Sequence, residues 1–517
     1  MSQIKKAALL SYINLGISNI VGIVLTPFIV KMLGDSEYGL FALIGAFVGY
    51  LSILDLGLTN AIVRFVAQYR AQQDEKGQEN FLAVSLILYS IISLVVVVFG
   101  MIMYLNVETL FGDTLTLDQM SKAKMMLLLF IFNIAITLPG GAFTGICNGY
   151  EHFVFPRVLT ICKYVIRALL VIAILYKGAD ALGLVILDSA LNVLFIVTTI
   201  YYVFTKLKVR IKLHRFDHRF LKEIFSYSIW IFVFGMVYQF QWRTGQVILG
   251  ATTNTVVVAI YAVGVTLGLY FLTFGNVING LVLPKAVKSI YKNDTTALLT
   301  AEMIRISRIT MIVLFYILGG FLILGQEFIV LWVGETYKDA WLVALLIMIA
   351  YVMPISQGYA HAILEAKKLM RFKSLSSLIL TIIGIGIGGY LSTIYGLKGI
   401  IYGIFGALMI LQIMVVFYYQ IKLGLDMKQY FTKALFPYLL LFIPVCVITY
   451  YAVHFIGNGW GFFILKGIVF TLLFVIGMYV LLSKTERTSL MGIFLGMLSR
   501  KRTKSIHPLK KMSSHEN

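Results

Sequence analysis

Four ionisable side chains interrupt long apolar segments of the chain, and their chemistry is suited to binding an anion. Lys163 and Arg167 are four residues apart, so they lie on one face of any helix that contains them. Asp188 and Arg243 interrupt the segments ALGLVILDSALNVLF and VYQFQWRTGQVILG. Guanidinium and ammonium groups bind phosphate and carboxylate oxygens, and arginine binds them with two parallel hydrogen bonds.

Arg167 and Asp188 allow two interpretations. At a helical rise of 1.5 Å per residue, both residues lie roughly 10 to 13 Å from the end at which two consecutive helices are joined. The first interpretation is a structural pair, because charges inside a membrane commonly neutralise each other. The second is a site in which Asp188 orients Arg167 toward an anionic substrate. In both cases Lys163 and Arg243 have no acidic counterpart in the sequence, so the set is net positive.

Uncharged polar residues accompany these charges at helical spacing. Gln239 and Gln246 lie four residues before and three residues after Arg243, so they share its face. A second stripe, before the charged segments, consists of Ser11, Asn14, Ser18 and Gly22. A third, after them, consists of Asn276 and Asn279. Such stripes predict a water-filled cavity. The alternative is hydrogen bonding and close packing between helices, which is equally compatible with the second stripe.

Asp55 is a further carboxylate within an apolar segment. It is a candidate for binding a coupling proton or sodium ion, as intramembrane carboxylates do in relays. The alternative partner is Arg64, nine residues farther along and close enough to the surface to extend its charge into water. The separation of nine residues argues against direct pairing.

Two apparent motifs are rejected. Gly384, Gly386 and Gly389 match GxGxxG, but they lie in the apolar run IIGIGIGGYL without a preceding strand or a following acidic residue, which predicts helix packing instead of a dinucleotide site. His361 and Glu365 have the spacing of metal ligands but no third ligand, so we interpret them as a solvated helix end.

Composition identifies the elements that must position these residues. Of the 517 residues, 60% are hydrophobic and only 13% are charged, which is far outside the range of soluble proteins and predicts a polytopic membrane protein. The first segment runs apolar for more than twenty residues without a small-residue cleavage site, so we interpret it as a retained helix. The three cysteines are far apart and indicate neither a disulfide framework nor a metal site.

Apolar segments of about 20 residues, long enough to cross a bilayer, can be counted directly. We predict fourteen spans, at residues 7–30, 38–62, 81–105, 124–147, 154–176, 181–204, 224–249, 256–283, 306–325, 340–364, 374–395, 397–420, 432–454 and 461–483. The fold class predicted is an all-α polytopic membrane protein.

The basic residues support this topology. With the N-terminus inside, 33 of the 43 Lys and Arg residues fall on the cytoplasmic side, as cytoplasmic loops require. Both termini are therefore predicted to be cytoplasmic. The formal net charge of +20 then reflects loops that face anionic phospholipid, which excludes nucleic acid as the partner.

A weak internal repeat divides the chain. Leu33-Gly34 recurs as Leu249-Gly250, and other collinear matches follow at similar offsets. An even number of spans precedes the second copy, so the repeat is parallel and predicts two six-helix lobes around a central cavity. The predicted divisions are 1–209 for the N-lobe, 210–424 for the C-lobe, 425–484 for appended spans 13 and 14, and 485–517 for a basic amphipathic cytoplasmic tail.

Two stretches carry a family resemblance. GDSEYGLFALIGAFVGYLSILDLGLTNAIVRFVAQYRAQ, from Gly34 to Gln72, and GAFTGICNGYEHFVFPRVL, around spans 4 and 5, resemble bacterial polysaccharide flippases of the multidrug/oligosaccharidyl-lipid/polysaccharide exporter superfamily. The resemblance extends through about the first 420 residues and consists of pattern, without an invariant catalytic signature. The added pair of spans looks like the fourteen-helix branch that includes the lipid II flippases.

The resemblance implies a flippase of the bacterial inner membrane, of the O-antigen and capsule type that serves lipopolysaccharide and other polysaccharide biosynthesis. Such a protein moves undecaprenyl-pyrophosphate-linked oligosaccharide from the cytoplasmic to the outer leaflet by alternating access, without a cofactor. Proton or sodium coupling and contact with the polysaccharide polymerase machinery are further expectations. The predicted substrate-binding set is Lys163, Arg167, Arg243, Asp188, Gln239, Gln246, Asn14, Ser18, Asn276 and Asn279, and Asp55 is the predicted ion-coupling residue.

Three alternatives stay open at this point. A drug and toxin exporter or a lipid II flippase of the same superfamily would have the same lobes. A membrane polymerase or ligase would act on the same lipid-linked substrate, but the longest external stretch, about residues 105–123, is too short to fold a catalytic site. We therefore predict that the protein is not an enzyme.

Overall fold

The computed structural model describes residues 3–55, 58–215, 236–279, 282–292 and 294–481, and every regular element in these ranges is a helix. The predicted all-helical membrane fold is confirmed. A helix suits a bilayer because it satisfies its backbone N–H and C=O groups internally, where no water is present to do so.

The helices before the basic linker, which is residues 206–222 of the sequence, form one set, the N-terminal helices. They are α1 (Gln3–Leu33), α2 (Asp35–Gly49), α3 (Leu58–Gln72), α4 (Glu75–Phe111), α5 (Leu117–Gly149), α6 (Val154–Tyr176) and α7 (Ala181–Thr205). A short 3-10 segment, Tyr50–Asp55, continues α2 toward α3, so the second predicted span is a broken helix.

The helices after the linker form the C-terminal helices and the appended helices. The C-terminal helices are α8 (236–252), α9 (Thr255–Asn279), α10 (Leu283–Tyr291), α11 (Thr296–Val333), α12 (Ala340–Ser356), α13 (Gly358–Ala366), α14 (Arg371–Tyr395) and α15 (Leu397–Leu423). The appended helices are α16 (Met427–Tyr430), α17 (Phe436–His454) and α18 (Trp460–Leu481).

Within the described ranges, 13 helices are long and apolar enough to cross a membrane. Each of them overlaps one predicted span. The remaining predicted span, 224–249, begins at residues outside the described ranges, which show only its later part as helix α8. The total of fourteen therefore stays a prediction, as do the two lobes and the tail 485–517, which also lies outside the described residues.

An ionic cluster joins the helix ends at the predicted outer face. Lys122 on α5 lies 2.7 Å from Glu37, at the start of α2, and 3.3 Å from Asp180, which caps α7. Asp118, one turn before Lys122, lies 3.3 Å from the same ammonium group. The cluster holds α2, α5 and α7 in register at this face.

The appended hairpin of α17 and α18 is held by a buried ion pair. Lys466 on α18 is only 5% exposed, and its Nζ lies 2.7 Å from a carboxylate oxygen of Glu327 on α11. Breaking such a pair leaves an uncompensated buried charge, which costs about 3 to 5 kcal/mol. The pair therefore fixes the position of α18 against the C-terminal helices.

Cysteine labelling should test the predicted orientation. Val209, in the basic linker, is only 5% exposed, so a cysteine there would be shielded, whereas Arg210 and Asn458 are exposed. In a background without the native cysteines, a membrane-impermeant maleimide should label Asn458→Cys on intact cells and Arg210→Cys only after permeabilisation. Labelling of both positions on intact cells would contradict the topology.

Candidate functional site

Arg243 lies at the contact between α2 and α8. Its Nη1 donates to the carbonyl oxygen of Gly45 at 3.1 Å, and its Nε donates to Oε1 of Gln239 at 3.0 Å. Gln239 donates in turn to Oγ of Ser52 at 2.6 Å, in the 3-10 segment. The predicted polar face of α8 is thus turned toward α2.

Glycine at position 49 allows this arrangement. A Cβ at Gly49 would lie 2.6 Å from Cδ of Arg243, so the guanidinium can cross α2 only where a side chain is missing. Both hydrogen-bond acceptors of Arg243 are neutral, and the described residues place no carboxylate in an ion pair with it. The half-buried guanidinium keeps its full charge at this contact.

Arg167 and Asp188 form a two-point ion pair between α6 and α7. The distances are 2.6 Å from Nε to Oδ1 and 2.8 Å from Nη2 to Oδ2. About a quarter of each side chain is exposed, 27% for Arg167 and 25% for Asp188. The geometry agrees with the pairing interpretation, and the pair is open enough for Arg167 to retain a free donor edge.

Lys163 lines a small cavity with both polar and apolar walls within the N-terminal helices. Its Nζ donates to Oδ1 of Asn192 at 3.3 Å, and Asn192 donates to Oγ1 of Thr137 at 2.8 Å. The cavity has a volume of about 200 Å³ between α5, α6 and α7, and Gly140 and Gly141 form part of its wall. Lys163 forms no ion pair within the described residues.

The structure divides the predicted binding residues into two groups. Arg243 and Gln239 belong to the α2–α8 contact, whereas Lys163, Arg167 and Asp188 belong to the α6–α7 contact. No hydrogen bond joins the two groups in the described part of the chain. Gln246 lies on α8 without a described polar contact, and Asn276 and Asn279 lie in the last turns of α9, where side chains are outside the description.

The polar stripe of α1 meets both sets of helices. Gly22 faces α9 so closely that a Cβ there would lie 2.1 Å from the Tyr270 hydroxyl. Ser18 bonds the carbonyl oxygen of Leu15 in its own helix, and Oδ1 of Asn14 is buried without a hydrogen-bond partner. A buried acceptor without a donor is expensive, so Asn14 retains the capacity to bind a polar ligand or water.

Arg157 forms a hydrogen bond to α1 that was not predicted from the sequence. Its Nε donates to Oγ of Ser11 at 2.6 Å, which joins the first turns of α6 to the polar stripe of α1. In the sequence it belongs to the many basic residues of the inner face, and its spacing does not distinguish it from them.

Asp55 ends the 3-10 segment, where the second span is broken. Its half-buried carboxylate forms no hydrogen bond or ion pair with any described residue, Arg64 included. One turn later, Thr59 on α3 shares a hydrogen bond of 3.1 Å with Tyr89. The position is compatible with ion binding, which stays a prediction.

Of the GxGxxG glycines, Gly384 packs α14 against α15, whereas a Cβ at Gly386 would meet nothing within 4 Å and one at Gly389 would lie 3.4 Å from Ile248 on α8. A Cβ at Gly384 would lie 2.6 Å from Cβ of Ala407, so the small residues allow close approach of the two helices. This agrees with the packing interpretation of the motif.

The two sets of helices also meet at the predicted outer face. At the predicted outer face α2 packs on α9, where a Cβ at Gly39 would lie 1.8 Å from the carbonyl oxygen of Thr255. Oγ of Ser36 lies 3.1 Å from Oγ1 of Thr255 at the same place. Toward the inner face, α3 packs on α4 and α5. Among the described helices, this outer contact and the α2–α8 contact of Arg243 and Gln239 both join the two sets.

A family model and several solved structures are similar to this chain. A family model described as polysaccharide biosynthesis protein matches residues 4–285. The structure titled "Lipid II flippase MurJ, inward closed conformation" is similar with a TM-score of 0.66 at 15% identity, covering 92% of this chain and 98% of that chain.

Two transporter structures are also similar. An inward-facing multidrug resistance MATE family transporter of the MOP superfamily has a TM-score of 0.64 at 14% identity, covering 78% of this chain and 94% of that chain. A MATE structure in the bent conformation has a TM-score of 0.55 at 15% identity, covering 82% and 96%. A search of curated proteins found no match.

Proposed function

Because the chain belongs to the polysaccharide biosynthesis protein family, we propose that it is a flippase for lipid-linked oligosaccharide in the bacterial inner membrane. The substrate we propose is undecaprenyl-pyrophosphate-linked, and it moves from the cytoplasmic to the outer leaflet. The observation that carries the proposal is the charge of Arg243, held by neutral partners at the contact between the two sets of helices.

The pyrophosphate is the chemical feature that such a site would recognise. A lone cation within a membrane costs at least about 2.5 kcal/mol on insertion scales, so an anionic ligand or a wet cavity has to compensate it. Arg243 and Lys163 lack a carboxylate partner among the described residues, and arginine fits phosphate oxygens with two parallel hydrogen bonds. A lipid-linked pyrophosphate supplies the missing negative charge.

Alternating access is the mechanism we propose. The contacts of Ser36 and Gly39 with Thr255 close the predicted outer face. This arrangement would admit a substrate from the cytoplasm. Movement of the two sets about α2 and α8 would then open the outer face and release it.

An apolar cleft between α11 and α18 is a candidate path for the lipid tail. Its volume is about 310 Å³, and aromatic side chains such as Tyr316, Phe328 and Phe470 line it. A polyprenyl chain cannot enter a polar cavity without losing the free energy of its apolar environment. The tail would remain in this cleft or in lipid while the head group crosses.

A lipid II flippase is the second candidate. The similarity to the MurJ structure covers 92% of this chain, whereas the MATE similarity covers 78%. Reconstitution into liposomes distinguishes the candidates. We expect translocation of undecaprenyl-pyrophosphate oligosaccharide, and translocation of lipid II or a cationic drug alone would overturn the proposal.

The Arg167–Asp188 pair provides a prediction for the same assay. If Arg167 serves the substrate, Arg167→Ala should lower export about tenfold or more, as for a lost hydrogen bond to a charged group. Asp188→Asn should lower it only severalfold, because the guanidinium remains. Exposed Glu335→Gln is the control. Equal losses in the Arg167 and Asp188 variants, with normal membrane insertion, would assign the pair a purely structural role.

A further inference from the structure

A lysine and a histidine meet near the predicted inner face of the C-terminal helices, away from the residues proposed to bind substrate. Nζ of Lys373, in the first turn of α14, lies 3.0 Å from Nδ1 of His361 on α13. It also donates to the hydroxyl of Tyr419 on α15 at 3.4 Å. Tyr419 is only 1% exposed, so the contact is enclosed on that side.

The charge of Lys373 determines which atom of this contact can accept the hydrogen bond. A charged lysine has donors and no acceptor, so Nδ1 of His361 accepts and the imidazole is neutral. A second proton on the imidazole would place two cations at the same 3.0 Å separation, with strong Coulomb repulsion. Lys373 forms no ion pair within the described residues, so no carboxylate reduces that repulsion directly.

Other charges surround the contact at the ends of the packed helices. The charged side chains near the inner ends of α10, α11, α13, α14 and α15 are Lys285, Lys288, Glu302, Arg305, Arg308, Glu365, Arg371 and Lys422, with Lys367 and Lys368 in the turn and the phenol Tyr430 on α16. Among these, Glu302 is already paired with Lys285 and Arg305. The surroundings are net positive, which further opposes a second proton while α13 is docked.

α13 is a short helix of 9 residues, separate from α12 and mostly buried. Gln357 interrupts the helix between α12 and α13, one turn after Pro354, which has no backbone N–H to donate. Beyond the break, α13 packs on α10, which is also short. A repulsive force between His361 and Lys373 would therefore act on a unit of only 9 residues.

We propose that His361 and Lys373 form a proton-binding site that controls the docking of α13 on α14. When Lys373 is charged and His361 is neutral, α13 keeps its packing on α10 and its hydrogen bond to Lys373. A second proton, taken up by His361, converts the hydrogen bond into repulsion and displaces α13 at the inner face. This site is separate from Asp55, and it does not depend on the identity of the transported substrate.

Titration of His361 tests the site itself. Histidine NMR signals of the full chain in lipid nanodiscs would be followed against pH, with the His361 signal assigned from His361→Gln. Removing the neighbouring cation in Lys373→Met should tighten proton binding by His361 about tenfold or more. Lys338→Met, an exposed lysine at the predicted outer face, should leave it unchanged. The same midpoint in wild type and Lys373→Met would overturn the proposal.

Movement of α13 provides a second measurement. A bimane fluorophore attached to Lys367→Cys would be quenched by the tryptophan of Leu375→Trp, and both positions are exposed. The ratio of bimane fluorescence with and without the tryptophan reports the separation of the two side chains. Quenching should fall with the same midpoint as His361 protonation. In His361→Gln, which keeps an acceptor for Lys373, quenching should not depend on pH. Quenching that still depends on pH in this variant would contradict a proton site. So would quenching in the wild-type chain that changes with chloride concentration at constant pH and constant ionic strength.

Discussion

Replacement of Arg243 with alanine should abolish measurable export while leaving membrane insertion intact. Among the described residues, the guanidinium bonds the Gly45 carbonyl and Gln239 and no carboxylate, so its removal leaves none of their carboxylates unpaired. Loss of a charge-assisted hydrogen bond to the substrate costs about 1.5 to 3 kcal/mol, which is roughly 10- to 100-fold in binding. Translocation of lipid-linked oligosaccharide in proteoliposomes is the measurement.

Two further variants make this prediction specific. Arg243→Lys should restore export only partly, because an ammonium group cannot form the two parallel hydrogen bonds that guanidinium forms with phosphate. Arg371→Ala, an exposed arginine at the start of α14, should export normally. Full activity of Arg243→Ala would remove this residue from the substrate site.

Gly39→Ala should prevent closure of the predicted outer face and thereby stop the transport cycle. A Cβ at this position would lie 1.8 Å from the Thr255 carbonyl oxygen, a backbone atom that cannot rotate away, so α2 and α9 would have to separate. Gly406→Ala is the matched control, since a Cβ there meets nothing within 4 Å in another long helix. Both changes raise helix propensity equally, so only the contact with Thr255 distinguishes them.

A cysteine pair measures the same closure directly. The hydroxyl oxygens of Ser36 and Thr255 are 3.1 Å apart, so Ser36→Cys with Thr255→Cys should form a disulfide on oxidation and block export until it is reduced. Adding Gly39→Ala should slow formation of this disulfide severalfold. A Gly39→Ala protein that crosslinks and exports like wild type would show that the outer contact does not control the cycle.

Much of the fold could be predicted from sequence because burial in lipid depends mainly on local composition. Every span seen in the described residues overlaps an apolar segment that was predicted from length and charge alone. The breaks within spans were harder to predict. The interruption at Gln357 follows a proline, but the 3-10 segment before Asp55 has no comparable signal.

The candidate site could be predicted in part. Lys163, Arg167, Asp188 and Arg243 are conspicuous because a charge in an apolar run is expensive wherever it occurs. Their partners were not all predictable: the Asp188 partner of Arg167 follows from depth on adjacent helices, whereas the Gly45 carbonyl that binds Arg243 is 198 residues away. A backbone carbonyl has no sequence signature, so this contact is visible only in three dimensions.

Sequence by itself determined that the chain crosses a membrane many times and that its intramembrane charges are mainly positive, because both properties are sums over local residues. Tertiary structure decided which of those charges are paired, where Gly39 and Gly49 permit contact with distant elements, and that His361 contacts Lys373. The physical reason is that pairing depends on the relative rotation and depth of helices. Those are set by packing between segments far apart in the chain, and no local pattern records them.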